Sequence, residues 1–66
     1  MRVHLRPQRR TVEIRGSRRV GALLTQLGIL PGTAMVIRGD LLLTDGDVVE
    51  EGDEVEIRAV ISGGGG

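Results

Sequence analysis

The feature that most restricts the fold of this chain is the order of its hydrophobic periods, which predicts one helix among several strands. The middle of the sequence carries an apolar stripe at i, i+3, i+4 and i+7, formed by Val20, Leu23, Leu24 and Leu27. On both sides of this stripe, apolar residues alternate with polar ones, which is the period of a half-buried strand. With 66 residues, these segments must share one hydrophobic core.

The segments before and around the helix predict a hairpin and two helix ends. Residues 2–6 and 11–15 alternate apolar and polar side chains, and Pro7 to Arg10 connects them, so we expect a β-hairpin. Ser17 is a residue type that caps helix N-termini. Gly28 is predicted to end the helix. Gly21 weakens the helix, and we expect it to allow a close approach to the sheet.

Four further segments follow the helix. Residues 33–38 are mostly apolar, which predicts a central strand covered on both faces. Residues 41–43 form a short apolar segment, and Val48-Val49 is interpreted as a short helical turn. Residues 53–61 alternate again and predict the last strand.

The resulting order is β-β-α-β-β-β, which predicts an α+β protein with a β-grasp, ubiquitin-like fold. In this fold a mixed sheet carries one main helix across one face, and the first and last strands lie side by side in its middle. We expect residues 1–62 to form this domain and residues 63–66 to form a flexible C-terminal glycine tail.

Composition argues against several classes of function. The chain has no cysteine and one histidine, His4, so we expect no metal site and no bound cofactor. His4 is interpreted as a surface residue, and Asp45-Gly46-Asp47 as a turn because it lacks the spacing of a calcium loop. No nucleophile with a matching base is evident, so we expect no enzymatic activity of the chain alone.

Charge is distributed unevenly although the net charge is zero. Residues 1–38 hold eight arginines and one acid, and residues 39–66 hold eight acids and one arginine. Such a distribution orients an approaching partner. Aromatic residues, which stack on bases, are absent, so we expect no direct nucleic-acid binding. No apolar run has transmembrane length, and we expect a cytoplasmic protein without a membrane partner.

The last four residues, Gly63, Gly64, Gly65 and Gly66, have no side chains to bury. Their thinness suits a narrow channel in another protein, and their backbone amides remain free to hydrogen-bond the channel wall. The tail therefore indicates that the terminal carboxylate is the functional group, presented to the active site of a partner enzyme.

The segment before and within this tail resembles the C-terminal signature of the ThiS/MoaD family of ubiquitin-like sulfur carriers. The matching residues are Gly52 to Ile57 followed by Ala59 to Gly64. The resemblance implies that a ubiquitin-activating-type adenylyltransferase uses ATP to adenylate the terminal glycine. A sulfurtransferase or cysteine desulfurase then supplies sulfur, and the resulting thiocarboxylate donates it to an accepting enzyme.

Other parts of the chain are most similar to the branch of this family that serves tRNA thiolation. They are Met1 to Val3, Leu5-Arg6, Val36, Arg38-Gly39, Leu42 to Thr44 and Ile61 to Gly64. The resemblance thus implies a tRNA thiolase as the accepting enzyme. Because the family pattern ends at Gly64, the reactive carboxylate belongs to Gly66 as the sequence is written, or to Gly64 if the chain is trimmed.

Three other functions remain open from the sequence. The same tail fits a ubiquitin-like modifier that is conjugated to lysines of other proteins, or a sulfur carrier for thiamine or molybdopterin synthesis. A more distant similarity, from Leu27 to Thr33, is to the swapped-hairpin DNA-binding regulators of the AbrB class.

A surface for the activating enzyme is also predicted. Val60 lies on the polar side of the last strand, directly before the tail. Together with Leu41, Leu42, Leu43 and Arg58, it is expected to contact the partner beside its channel.

Overall fold

A computed structural model of the chain describes residues 1–30 and 32–59. Its seven strands and one helix are β1 (Arg2–Arg6), β2 (Arg10–Glu13), β3 (Arg18–Arg19), α1 (Val20–Gln26), β4 (Ala34–Arg38), β5 (Leu41–Leu43), β6 (Val48–Val49) and β7 (Glu54–Ala59). The helix is too short to cross a membrane, and the described ranges contain no other helix.

Five of the strands form one mixed sheet in the order β2-β1-β7-β4-β5. The first and last strands, β1 and β7, pair in parallel, and every other neighbouring pair is antiparallel. With α1 as the one helix in the described ranges, the structure confirms the predicted β-grasp architecture and the predicted adjacency of β1 and β7. This order places the strand that leads into the glycine tail at the centre of the sheet.

The hydrophobic core lies between α1 and one face of this sheet. On the helix, the stripe predicted from the sequence supplies the buried residues Val20, Leu23 and Leu24. The sheet contributes buried residues at alternate positions, which are Val3 of β1, Val36 of β4, and Val55 and Ile57 of β7. The alternation follows from the strand period, since only one face of the sheet meets the helix.

The described part of β4 is covered on one face, which contradicts the prediction of a strand covered on both. Val36 is buried, but its neighbour Met35 is exposed and Ile37 is only partly buried. Because α1 packs on one side of the sheet, the apolar side chains on the other side of β4 remain accessible.

The expected helical turn at Val48-Val49 is also wrong, because these residues form β6. Val49 pairs with Arg18 and Val48 pairs with Arg19, so β3 and β6 make a second, two-stranded sheet. Val49 is fully buried, and it contributes a further side chain to the core.

The N-terminus of α1 is satisfied by the loop around residues 45–47 and not by Ser17. The capping residue is Arg19, which makes no side-chain capping hydrogen bond. Instead, the amide of Val20 donates to the carbonyl of Asp47 at 2.9 Å, and that of Gly21 to Asp45 at 3.1 Å. Gly21 therefore approaches this loop, where a Cβ would lie 3.7 Å from the Asp45 carbonyl oxygen, and not the sheet as expected.

As predicted, Gly28 terminates α1, whose last helical residue is Gln26. This glycine has φ of 76°, the left-handed conformation that glycine adopts without strain. The amide of Ile29 donates to Leu24 at 2.8 Å and that of Gly28 to Thr25 at 3.0 Å, which satisfies two of the last helical carbonyls. The turn directs the chain back toward β4.

Candidate functional site: the root of the C-terminal tail

The central strand of the sheet, β7, is the last described element before the tail, and we call its final residues, Arg58 and Ala59, the tail root. Ala59, the last described residue, pairs with Ala34 of β4, and the preceding Arg58 pairs with Arg6 of β1 on the other side. The strand is thus held on both sides up to its final residues. The tail Gly63–Gly66 and the predicted contact residue Val60 lie outside the described residues.

An apolar strip lies on the sheet face opposite α1. We use this name for Met35, Ile37 and Leu42, which the strand register places on that face. Ile37 and Leu42 are register partners, and Met35 is the partner of Arg58 beside the tail root. Leu42 is 58% exposed and Met35 is 40% exposed. The strip therefore offers apolar surface to a partner next to the tail.

The structure divides the predicted contact residues Leu41, Leu42 and Leu43 among three environments. Leu42 belongs to the apolar strip. Leu41 is 53% exposed but lies on the other face of β5. Leu43 is only 6% exposed and packs in the core, so its side chain is not accessible to a partner. Because side chains alternate between faces in a strand, three consecutive leucines cannot share one surface.

Arg58, another predicted contact residue, lies beside the strip in an ion-pair cluster. Its Nε donates a hydrogen bond to Oε2 of Glu56 at 2.7 Å, and Nε of Arg6 lies 3.7 Å from the same oxygen. The hydrogen bond from Arg58 lowers the pKa of Glu56 below its usual range. Two guanidinium groups therefore share one carboxylate. Because they outnumber it, the cluster keeps a net positive charge at the tail root.

His4 lies further along the same face, within a chain of surface hydrogen bonds. Its Nδ1 lies 3.1 Å from the hydroxyl of Thr11, and its Nε2 contacts a carboxylate oxygen of Glu54. The hydrogen bond from His4 lowers the pKa of Glu54. These contacts join β2, β1 and β7. No cluster of three metal-ligating side chains occurs in residues 1–30 or 32–59.

The beginning of β7 is anchored by Asp53. One of its carboxylate oxygens accepts from the amide of Glu50 and from the guanidinium of Arg38, both at 2.9 Å. The amide hydrogen bond, followed by the arginine, lowers the pKa of Asp53. Arg38 also donates to the carbonyl of Val48 at 3.2 Å, so the cluster ties β4 to the loop before β7. It thereby fixes the start of the strand that carries the tail.

The sequence missed Met35 and Ile37 as residues of the site. Both belong to a strand whose apolar residues occupy both faces, and this pattern was interpreted as burial on both sides. The signal that could have identified them is the presence of one helix stripe, which covers a single face of a sheet.

Together, the central last strand, the single helix and the glycine tail define a β-grasp protein of the ubiquitin-like class. No protein-family model matches the chain. The chain is 46% identical over 65 residues to sulfur carrier protein TtuB from Thermus thermophilus, a match that covers 97% of this chain and 100% of that protein. The chain therefore belongs to the TtuB-like sulfur-carrier family.

This membership confirms the family resemblance of the C-terminal segment. The AbrB-class alternative is set aside, because the Leu27 to Thr33 similarity lies in a β-grasp domain whose full length matches a sulfur carrier.

Proposed function

We propose that this protein carries sulfur as a C-terminal thiocarboxylate and delivers it for the thiolation of tRNA. The observation that carries the proposal is the 46% identity to sulfur carrier protein TtuB over the whole length of that protein. The position of the tail root at the end of the central strand supports it, because the domain then presents its C-terminus from a rigid element.

The proposed chemistry takes place on the terminal carboxylate. A carboxylate oxygen attacks the α-phosphate of ATP in the activating enzyme, which forms an acyl-adenylate and releases pyrophosphate. The terminal sulfur of a persulfide on a sulfurtransferase or cysteine desulfurase then attacks the acyl carbon, and AMP leaves with the electron pair of the broken bond. A thiol reductant next cleaves the sulfur–sulfur bond of the acyl disulfide, which releases the thiocarboxylate and leaves the reductant joined to the donor cysteine as a disulfide. This chain acts as the substrate of these steps, while the catalytic groups belong to the adenylyltransferase, the sulfur donor and the tRNA thiolase.

The position of the reactive carboxylate is part of this proposal. The family pattern that the C-terminal segment resembles ends at Gly64, two residues before the last glycine of this sequence. We infer that activation occurs at Gly64 after trimming. Two extra residues would displace the carboxylate by roughly 6–7 Å of extended chain, more than a shaped active site tolerates.

Intact-mass measurement tests the proposed function. The chain ending at Gly64 is incubated with a TtuB-type activating enzyme, ATP, a sulfur donor and a thiol reductant, and we expect a mass gain equal to the replacement of one oxygen by sulfur. Omission of ATP is the control, since adenylation must precede sulfur transfer. A chain that gains neither sulfur nor an adenylate under these conditions is not a carrier of this kind.

The apolar strip is the surface that we propose for docking the activating enzyme, together with Arg58 and Val60. It lies next to the tail root, as a surface must if it is to guide the tail into an active site. Its neighbours on the same face are charged, which matches an interface with an apolar centre and a polar rim.

Replacement of Leu42 with aspartate should weaken activation about tenfold or more in kcat/KM, because a charge would then lie in the desolvated centre of the interface. Leu41→Asp is the matched control, since Leu41 is similarly exposed but lies on the other face of β5. The measurement is the rate of pyrophosphate release at several carrier concentrations, with circular dichroism to verify folding. Equal rates for the two variants would contradict this assignment of the surface.

A further inference from the structure

Four arginines gather at the end of the sheet where the tail begins. Arg6 ends β1 and is the register partner of Arg58, near the end of β7. Arg10 begins β2 opposite Leu5, and Arg9 precedes it in the turn between β1 and β2. We call these four residues, Arg6, Arg9, Arg10 and Arg58, the basic collar. All four are exposed.

The collar carries an excess of positive charge. Within the described residues, Glu56 is the single carboxylate within 4.0 Å of Arg6 or Arg58, and it contacts both. Neither Arg9 nor Arg10 has a carboxylate partner at that distance in the described part of the chain. Four guanidinium groups and one carboxylate leave three positive charges around the tail root.

Three acids of the C-terminal half, Glu51, Asp53 and Glu54, lie at the opposite end of the sheet. Asp53 and Glu54 lead into β7 beside Arg2, the first residue of β1. Glu51 lines the same open cleft as Asp53 and Glu54. Because β1 and β7 run in parallel, this cleft is separated from the collar by the length of both strands. These three acids therefore do not neutralise the charge at the tail root.

The turn between β1 and β2, which carries part of the collar, exposes charge and contributes no large apolar side chain. Arg9 has φ of 55°, in the left-handed region that favours glycine or asparagine, and yet it places a charged side chain at the tip. The large exposed apolar residues in the described ranges are Leu30, Met35, Leu41, Leu42 and Val48. None of them belongs to β1, to β2 or to their turn, so this side of the collar lacks the apolar anchor typical of a protein interface.

We propose that the basic collar binds the phosphate backbone of the RNA that accepts the sulfur. This inference rests on the proposed function. Guanidinium groups form paired hydrogen bonds with phosphate oxygens, and such contacts position a protein on a nucleic acid without reading its bases. The expectation of no nucleic-acid binding relied on missing aromatic residues, but backbone contacts need no stacking.

The collar and the apolar strip occupy different sides of β7. The strip is formed by β4 and β5, while three of the four collar residues belong to β1, β2 and their turn. The carrier can thus contact an enzyme through one edge of its sheet and RNA through the other, with the end of β7 between them. Contact with the RNA holds the tail close to the base that receives sulfur, which raises its effective concentration there.

The test measures binding of the full chain to fluorescently labelled, unmodified tRNA by anisotropy. Neutralising two or three phosphates predicts that the association constant falls roughly 10- to 40-fold between about 50 and about 200 mM salt. The double variant Arg9→Gln, Arg10→Gln should bind about tenfold more weakly at the lower salt concentration. Circular dichroism verifies that both exposed substitutions leave the fold intact.

The matched control is the double variant Arg15→Gln, Arg19→Gln. It removes the same charge from exposed arginines outside the collar, and we expect less than a twofold change in binding. Equal losses for the two double variants would overturn the proposal, because net charge alone would then explain binding. Absence of salt-dependent binding would overturn it as well.

Poly-L-glutamate of matched charge serves as a second ligand. Binding of this polypeptide as tightly as tRNA would assign the collar to an acidic protein surface and overturn the RNA assignment. The mass measurement of sulfur transfer involves no RNA, so the two proposals fail separately. Sulfur gain without tRNA binding would overturn only the proposal for the collar. Binding of tRNA without sulfur gain would overturn only the proposed carrier function.

Discussion

A chain truncated after Ser62 should form no thiocarboxylate, while its domain remains folded. The deletion removes all four glycines of the tail, so the new terminal carboxylate cannot extend to the reactive position in the activating enzyme. The deletion removes only glycines, which have no side chains to bury, and the buried side chains of the described residues lie between Met1 and Ile57. The measurements are intact mass after incubation with the activating system, and thermal unfolding followed by circular dichroism.

A second truncation, after Gly64, serves as the control and locates the reactive end. If activation occurs at Gly64, this chain gains sulfur at least as fast as the full chain, without a trimming step. Sulfur gain by the chain ending at Ser62 would contradict the assignment of the tail. Faster activation of the chain ending at Gly66 would place the carboxylate there instead.

The elements that sequence periodicity identified are those with one clearly buried side. The stripe of α1 and the alternation of β1 and β7 each expose one face to solvent, so their periods are unambiguous. The β3–β6 pair was missed because it is two residues long on each strand, too short to show a period. The cap of α1 was missed because its acceptors are carbonyls of residues 45 and 47, which only the tertiary fold brings to the helix.

The candidate site was likewise predicted only in part from the sequence. The tail is visible in the sequence because consecutive glycines have few structural roles. The apolar strip was only partly predicted, since the side to which Met35 and Ile37 turn depends on which face of the sheet the helix covers. The collar was not predicted at all. Arg58 is 48 residues or more from its other members in the sequence, and the parallel pairing of β1 and β7 brings it to Arg6.

Replacement of Leu23 with alanine should destabilise the domain by about 2–5 kcal/mol, the range for truncating a fully buried leucine. Leu23 lies in α1, the helix that covers the sheet, and its side chain is completely buried. At about 0.05–0.15 kcal/mol per residue, a chain of 66 residues has roughly 3–10 kcal/mol of stability in total. The substitution therefore removes a large part of the free energy of unfolding. Urea denaturation measures it through the midpoint.

Leu30→Ala is the matched control, since Leu30 is 73% exposed and should change the free energy of unfolding by about 0.5 kcal/mol or less. An unchanged urea midpoint for Leu23→Ala would show that the helix does not stabilise the domain as its burial indicates. Activation by the partner enzyme should fall with the folded fraction, because β7 presents the tail only while α1 supports the sheet. Addition of a stabilising osmolyte should therefore restore folding and activation together. Recovery of folding without activation would instead mean that α1 contacts the enzyme directly.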